Sequence, residues 1–173
     1  MTDDELVVEH QRRDAIKDAQ NDASLRHVEF KVIGQPVPQS GMRAFNTPAG
    51  TRLTTTGGAG LKEWRTQLAE AAHERRTLLG VLTGPLGLDV TFRFRMPQSR
   101  LKRQRELLVI PHAVRPDLDK LVRAVFDGLK TGGLIVDDAQ IASLTTFKCE
   151  VLEDWVGVDI RLRQLPTMDR YLW

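Results

Sequence analysis

The chain is poor in cysteine and in long apolar runs, and each shortage excludes a class of protein. Its 173 residues contain one cysteine, Cys149, so no internal disulfide can form and a disulfide-rich secreted domain is excluded. Apolar runs such as residues 107–110 are far shorter than the roughly 20 residues that a membrane-spanning helix needs. Residues 2–5 are acidic, unlike a secretory leader. We therefore expect a cytoplasmic protein in a reducing compartment.

Several common catalytic and cofactor-binding patterns are missing as well. The chain has no glycine-rich phosphate-binding loop, no Cys-x-x-Cys pair and no recognisable Ser/His/Asp arrangement. Its four histidines show no ligand spacing, so we interpret them as surface or structural residues. Among them, His112 lies nearest in sequence to the acidic residues described below.

Length and composition predict one domain with its own core. A chain of 173 residues with 41% hydrophobic content is typical of a globular domain. The net charge of +2 is unevenly spread, with −3 over residues 1–27 and +5 over the remainder. We interpret residues 1–27 as a charged N-terminal extension and residues 28–173 as the domain. The alternative is that the extension contacts a partner or a second copy of the chain.

Alternating and helical patterns predict the secondary structure. Val28, Phe30 and Val32 alternate with charged residues, which indicates a strand. Residues 34–60 are rich in Gly, Pro, Ser and Thr and are expected to form a long loop. A helix over residues 61–79 with Trp64 in the core is followed by predicted strands at 88–96, 144–151 and 155–162. With the helix described next, the order is β-α-β-α-β-β, an α+β fold whose two main helices lie on one face of a mixed sheet.

What the chain does possess is a pair of acidic clusters around one helical pattern. Asp117 and Asp119 stand where the pattern starts, and Asp137 and Asp138 follow its end. Pro116 suits the start because its fixed φ fits there, and two glycines at 132–133 supply the stop. The apolar residues that recur at helical spacing are Leu118, Leu121, Val122, Val125, Phe126 and Leu129.

Clustered carboxylates of this kind predict a metal site. Oxygen ligands from one to three carboxylates suit Mg²⁺, and water or phosphate completes the shell. In a continuous helix, residues two apart point about 160° to 200° away from each other. Asp117 and Asp119 could therefore share a metal only if Asp117 lies in the non-helical segment before the helix, which Pro116 favours. The arrangement indicates phosphodiester chemistry with Mg²⁺, or with Mn²⁺ in its place.

Three motifs follow one another in this region. They are Asp117-Leu-Asp119-Lys120, then Arg123 with Phe126-Asp127-Gly-Leu129, and finally Asp137-Asp138-Ala-Gln140-Ile141. In this order and spacing they resemble the signature of the RusA-type Holliday-junction resolvases, endonucleases common in phages and prophages. The specific likeness covers residues 115–141. A looser likeness extends over residues 28–163 and includes a Pro-x-Pro turn at 36–38.

The resemblance implies a function and a set of roles. It implies a RusA-like domain that resolves four-way DNA junctions by paired symmetric nicks in recombination and repair, acting as a homodimer. Asp117, Asp119 and Asp138 would bind the metal, and Arg123 would stabilise the transition state. Asp137 would support the metal ligands, although it could exchange roles with Asp138.

Two positions depart from the family pattern. Lys120 stands where the family has Asn, and Arg123 stands where it has a catalytic Lys. Arginine retains a positive charge for the transition state but cannot transfer a proton, since its pKa lies above about 12. If the family lysine shuttles a proton, Lys120 or metal-bound water would have to take that role. We expect Asp127, four residues after Arg123, to orient the arginine.

The departures leave other functions open. The chain could keep the fold and bind branched DNA while cutting it poorly, or it could be a nuclease for another kind of branched DNA. A third possibility is a structural protein that metal stabilises.

Basic residues near the acidic motifs are candidate DNA contacts. Between residues 93 and 105 there are six basic residues and no acidic one, which indicates either a phosphate-binding strip or a solvated face. The loop over residues 34–60 adds two arginines, which could hold a phosphate backbone or simply face solvent. The predicted DNA-binding residues are Arg43, Arg52, Arg93, Arg95, Arg100, Lys102, Arg103, Arg105 and Arg115.

Overall fold

A computed structural model describes residues 26–39, 42–47, 50–55, 58–107, 109–152 and 155–166. The strands are β1 His27–Ile33, β2 Met42–Thr47, β3 Gly50–Thr55, β4 Leu86–Arg95, β5 Val109–Pro111, β6 Ile141–Val151 and β7 Gly157–Gln164. The helices are α1 Gly58–Leu79, α2 Lys102–Arg105 and α3 Leu118–Thr131, and a 3₁₀ turn spans Asp138–Gln140. The predicted N-terminal extension lies almost wholly outside the described residues.

The main sheet has five strands in the order β1-β7-β4-β6-β5. The β4–β6 pair is parallel and the other three pairs are antiparallel, so the sheet is mixed and the predicted α+β fold is confirmed. A parallel pair needs a long crossover connection, and α3 lies within the segment that supplies it. Within the part of the chain that the structure describes, each helix is too short or too polar to span a lipid bilayer.

Four short elements, the strands β2, β3 and β5 and the helix α2, are absent from the predicted order. The segment expected to be a loop over residues 34–60 contains the β2–β3 hairpin, which pairs with itself and not with the main sheet. Its strands carry no alternating apolar pattern, so the signal that reveals a half-buried strand is missing. The three-residue β5 and four-residue α2 are too short for any period to show.

The core lies between the sheet and the two long helices. The predicted alternation on β4 is confirmed, because Leu88, Val90, Phe92 and Phe94 are all buried. Trp64 of α1 is 1% exposed, so its assignment to the core is also confirmed. On α3 the buried positions are Leu121, Val122, Ala124, Val125, Gly128 and Leu129. This apolar face holds α3, and with it the acidic motifs, against the sheet.

The opposite face of the sheet is polar and its charges are paired across strands. Arg93 pairs with Asp159, and Arg163 with Asp89, each at 2.6 Å. A third pair at the same distance joins Arg161 to Glu29. The helices therefore cover one face only, as the sequence predicted.

A close crossing of α1 and α3 depends on Gly128. A Cβ added at Gly128 would collide with the Cβ of Leu68 on α1. We expect Gly128→Ala to lower the free energy of unfolding by about 1–3 kcal/mol, the usual cost of overpacking a core. Gly60→Ala is the matched control, because a Cβ at that position of α1 meets nothing within 4 Å. It should leave the protein unchanged or up to about 1 kcal/mol more stable.

Urea unfolding of the three proteins measures this difference. Equal unfolding midpoints for Gly128→Ala and Gly60→Ala would contradict the close crossing.

Candidate functional site

Asp117 lies in extended backbone immediately before α3. Its φ of −69° and ψ of 138° place it at the N-cap, and the helix begins at Leu118. The Arg115–Pro116 peptide bond before it is cis. The prediction that Asp117 precedes the helix is confirmed, so Asp117 and Asp119 are not forced to opposite sides of one helix.

The Asp117 carboxylate forms an ion pair with a lysine of α3. Lys120 Nζ donates a hydrogen bond of 2.7 Å to Asp117 Oδ2, and both side chains are about half exposed. This hydrogen bond is the main reason that the pKa of Asp117 is lowered and the pKa of Lys120 is raised. The residue that departs from the family's Asn is thus in direct contact with a predicted metal ligand.

Asp119 and Arg123 are exposed along the first turns of α3, whereas Asp127 faces α1. Asp127 Oδ2 lies 3.5 Å from the guanidinium of Arg65 on α1. Among the described residues no ion pair joins Asp127 to Arg123, so the expected orienting contact is not formed. The reason is the packing of the two helices, which brings a second arginine to Asp127.

The second acidic cluster is built into a tight turn. Asp137 caps the 3₁₀ turn by accepting a hydrogen bond of 3.0 Å from the N–H of Ala139, and it also accepts from Lys130 at the end of α3. Gln140 Oε1 accepts from the N–H groups of Val136 and Asp137, and its Nε2 donates to two carbonyls at residues 82 and 84. These bonds leave the Asp138 side chain exposed at the start of the turn.

The fold brings α3 and the Asp138 turn into contact, but it does not assemble a metal cage. Among the described residues no three His, Cys, Asp or Glu side chains come together as a metal-binding group. The donor set still fits a hard divalent cation chemically, since Asp117, Asp119 and Asp138 are exposed carboxylates. The metal site therefore stays a prediction that rests on chemistry and not on a preformed geometry.

A groove runs beside Asp117. It has a volume of about 520 Å³ and lies between the Pro-x-Pro turn and the residues before α3. The N–H of Gln39 donates to the carbonyl of Lys120, which fixes this turn against the helix. The groove is lined by Pro36, Val37, Pro38, Arg115, Pro116, Asp117 and Lys120. A larger cavity of about 1020 Å³ along α1 is lined by none of the predicted site residues. Cavity size alone therefore does not identify the candidate site.

The predicted DNA contacts fall into two groups. Arg93 is paired with Asp159 and lies 4.5 Å above the ring of Trp155, and Arg100 binds the buried Glu150 through two hydrogen bonds. These two arginines have roles within the protein. The others on this segment and before α3 are exposed, namely Arg95, Lys102, Arg103, Arg105 and Arg115. Arg43 and Arg52 lie on the β2–β3 hairpin.

Sequence reasoning missed a polar cluster next to Asp117. Lys148 Nζ donates to the carbonyls of Val114 and Pro116, at 2.6 and 2.7 Å. Glu150, two residues further along β6, is fully buried and contacts both Arg100 and His112. The sequence signals were the nearness of His112 to the acidic motifs and an acidic residue between Cys149 and Val151, and both are too weak to indicate a role.

A comparison with known protein families shows which family the chain belongs to. The model of a family described as "Endodeoxyribonuclease RusA" matches residues 34–163, most of the chain. The chain belongs to the RusA endodeoxyribonuclease family. A comparison with curated proteins finds no match. The matched range contains both acidic clusters and the basic segment, and RusA membership supports a nuclease that acts on Holliday junctions.

The turn that carries Asp138 generates a pH-dependent prediction. The Lys130 ammonium, helped by the N–H of Ala139, lowers the pKa of Asp137 to about 2. We expect Lys130→Met to raise the pKa of Asp137 toward its ordinary value near 3.9. Because the folded-state pKa is the lower one, the carboxylate stabilises the turn above about pH 4, and this contribution is lost as the pH falls toward 2.

An NMR titration of the Asp137 carboxyl carbon measures the shift. Lys102→Met, a change on the distant α2, should leave the titration alone. An Asp137 pKa near 3.9 in the unaltered protein would refute the lysine contact.

Proposed function

We propose that the protein is a divalent-metal-dependent endonuclease that resolves four-way DNA junctions by paired, symmetric nicks. Its setting would be recombination and repair inside the cell, and its origin a phage or prophage. The observation that carries the proposal is the RusA family match together with the location of the motif carboxylates, which lie immediately before α3, in its first turn and in the turn that contacts it.

The metal would be held by Asp117, Asp119 and Asp138. When bound, Mg²⁺ or Mn²⁺ would supply an activated water and neutralise charge on the transferring phosphoryl group. Asp138 is the better ligand of its pair, because Asp137 already accepts hydrogen bonds from Ala139 and Lys130. Asp137 instead holds the turn in place and keeps Asp138 exposed next to α3.

Two cations of α3 support the reaction electrostatically. Arg123 lies one turn after Asp119 and is exposed, so it can stabilise negative charge on the scissile phosphate. Lys120 has a raised pKa and is bound to Asp117, so in this state it acts as a cation and not as a proton acceptor. A metal at Asp117 would either share the carboxylate through Oδ1 or displace Lys120 from Oδ2. Exposed ion pairs of this kind are weak, so release costs little.

A second candidate function follows from the same observation. Because Lys120 occupies Asp117 and Arg123 replaces the family lysine, the protein could bind junctions tightly and cut them slowly. A nuclease for another kind of branched DNA is the remaining alternative. The persistence of three exposed carboxylates favours cleavage, since carboxylates facing DNA phosphates weaken binding unless they hold a metal.

Cleavage of a labelled four-way junction, beside a matched linear duplex and with Mg²⁺ or Mn²⁺, tests the proposal. We expect paired nicks in opposing arms and a loss of at least about 100-fold in rate for Asp119→Asn. Asp89→Asn is the control, because Asp89 is bound to Arg163 on the far face of the sheet. Arg123→Lys should keep or raise the rate.

The outcomes separate the candidates. Tight junction binding without cleavage, restored to cleavage by Arg123→Lys, would replace the resolvase with the binding protein. Cleavage of flaps or forks in preference to four-way junctions would indicate the other nuclease. Absence of both binding and cleavage would overturn all three.

A homodimer belongs to the proposal. Resolution requires two symmetric nicks, and a two-fold dimer presents two equivalent sites. The junction assay reads this directly, because a monomer that nicks one arm at a time would leave singly nicked junctions as the main product.

The exposed basic residues of α2 generate a prediction on DNA binding. Lys102 and Arg103 make no ion pair among the described residues, so they are available to phosphates. We expect the double change to alanine to weaken junction and duplex binding alike. The slope of the logarithm of the binding constant against the logarithm of salt concentration should fall in magnitude by roughly one unit for each lost phosphate contact. Binding isotherms over a range of salt concentrations measure the slope.

Arg100→Ala serves as the contrast. It should lower thermal stability, because it leaves Glu150 buried without its arginine. An unchanged salt slope in the α2 variant would remove α2 from the DNA interface.

A further inference from the structure

The backbone directly before Asp117 is held by one side chain of the sheet and one side chain of the same loop. We call residues 112–116 the pre-helix loop. Its last three carbonyls all accept hydrogen bonds from cationic or imidazole side chains: Val114 and Pro116 from Lys148, and Arg115 from His112 at 3.1 Å. The N–H of His112 also donates to the carbonyl of Lys148. Three consecutive carbonyls are thus occupied up to the residue that precedes Asp117.

Lys148 and His112 are themselves held by their surroundings in the sheet. Lys148 and Glu150 lie two apart on β6, so they project from the same face of the strand. The buried carboxylate of Glu150 binds Arg100 and lies 2.9 Å from His112 Nδ1. The His112 ring also stacks on Phe94, with ring centroids 4.6 Å apart.

Beyond the stacking of His112 on Phe94, apolar packing contributes little to the position of the pre-helix loop. Val114 is 58% exposed, and Arg115 is exposed as well. By contrast, α3 is held by its own buried face from Leu121 onward. A segment with few buried apolar contacts opens easily unless polar bonds hold it. Lys148 and His112 supply those bonds at the place where the backbone leads into a predicted metal ligand.

We propose that Lys148 and His112 are positioning residues that fix the pre-helix loop and thereby direct the Asp117 carboxylate toward the metal and the scissile phosphate. This inference rests on the proposed function. Neither residue belongs to the acidic motifs. Their role is to act through Asp117, and no contact with DNA is required of them.

The test compares Lys148→Met, Lys148→Arg and Arg163→Met in the full chain. Methionine keeps the length of Lys148 and removes its donors, while arginine restores charge and donors. Arg163→Met is the control, because it removes a comparable cationic partner, that of Asp89, on the other face of the sheet. The readouts are Mn²⁺ affinity without DNA, kcat and KM for junction cleavage, junction affinity without metal, and amide hydrogen exchange of residues 112–121.

We expect Lys148→Met to weaken Mn²⁺ binding and lower kcat by about 10- to 100-fold each, the usual effect of removing a group that orients a ligand. Junction affinity without metal should change less than about threefold, exchange at residues 112–121 should accelerate, and Lys148→Arg should recover part of each loss. His112→Phe, which keeps the stacking on Phe94, should shift the same readouts in the same direction. Arg163→Met should alter none of them.

Two results would overturn the inference. Unchanged exchange and Mn²⁺ affinity in Lys148→Met would show that the loop does not depend on Lys148. A loss of junction affinity without metal, equal to the loss in kcat, would mean that Lys148 contacts DNA directly. If the unaltered protein neither binds Mn²⁺ nor cuts, the proposed function fails, whereas hydrogen exchange still decides whether Lys148 holds the loop.

Discussion

The buried carboxylate of Glu150 is the interaction on which the functional face of this protein depends. A fully buried carboxylate is tolerated only when it is paired and hydrogen-bonded, and here Arg100 and His112 satisfy it. Each partner belongs to a different part of the molecule. Arg100 leads into the exposed basic helix α2, and His112 begins the loop that ends at Asp117. One charge inside the sheet therefore ties the candidate DNA-binding segment and the candidate metal site to the same strand.

In each acidic cluster one carboxylate is bound to a lysine. Lys120 binds Asp117 and Lys130 binds Asp137, and in both pairs the pKa of the carboxylate is lowered. The consequences differ between the two pairs. Asp137 also accepts a backbone hydrogen bond within its turn, so its pairing serves the fold, whereas the side chain of Asp117 makes no capping hydrogen bond to its helix. A cation at Asp117 can be exchanged for another without disturbing the backbone.

Much of the framework follows from short-range patterns. The alternation of β4 and the apolar face of α3 could be predicted because each element buries one side. Apolar residues then recur with a period of two in a strand or 3.6 in a helix. The β2–β3 hairpin, α2 and β5 were not readable, since they are short or pair only locally. The contact of Asp127 with Arg65 was also missed, because spacing along one helix says nothing about an arginine that arrives from another.

The sequence by itself determined the family, the α+β class and the identity of the candidate catalytic carboxylates, because these depend on the order and spacing of residues within short segments. Tertiary structure decided which side chains surround them. Lys148 and Glu150 contact the pre-helix loop from positions 32 to 38 residues away, and Arg100 binds Glu150 from a position 50 residues away. Such contacts depend on strand order and on the direction of side chains across a sheet, and neither is encoded in the spacing of any one segment. The candidate catalytic residues could therefore be identified from the sequence, whereas the contacts that hold them in place could be identified only from the tertiary structure.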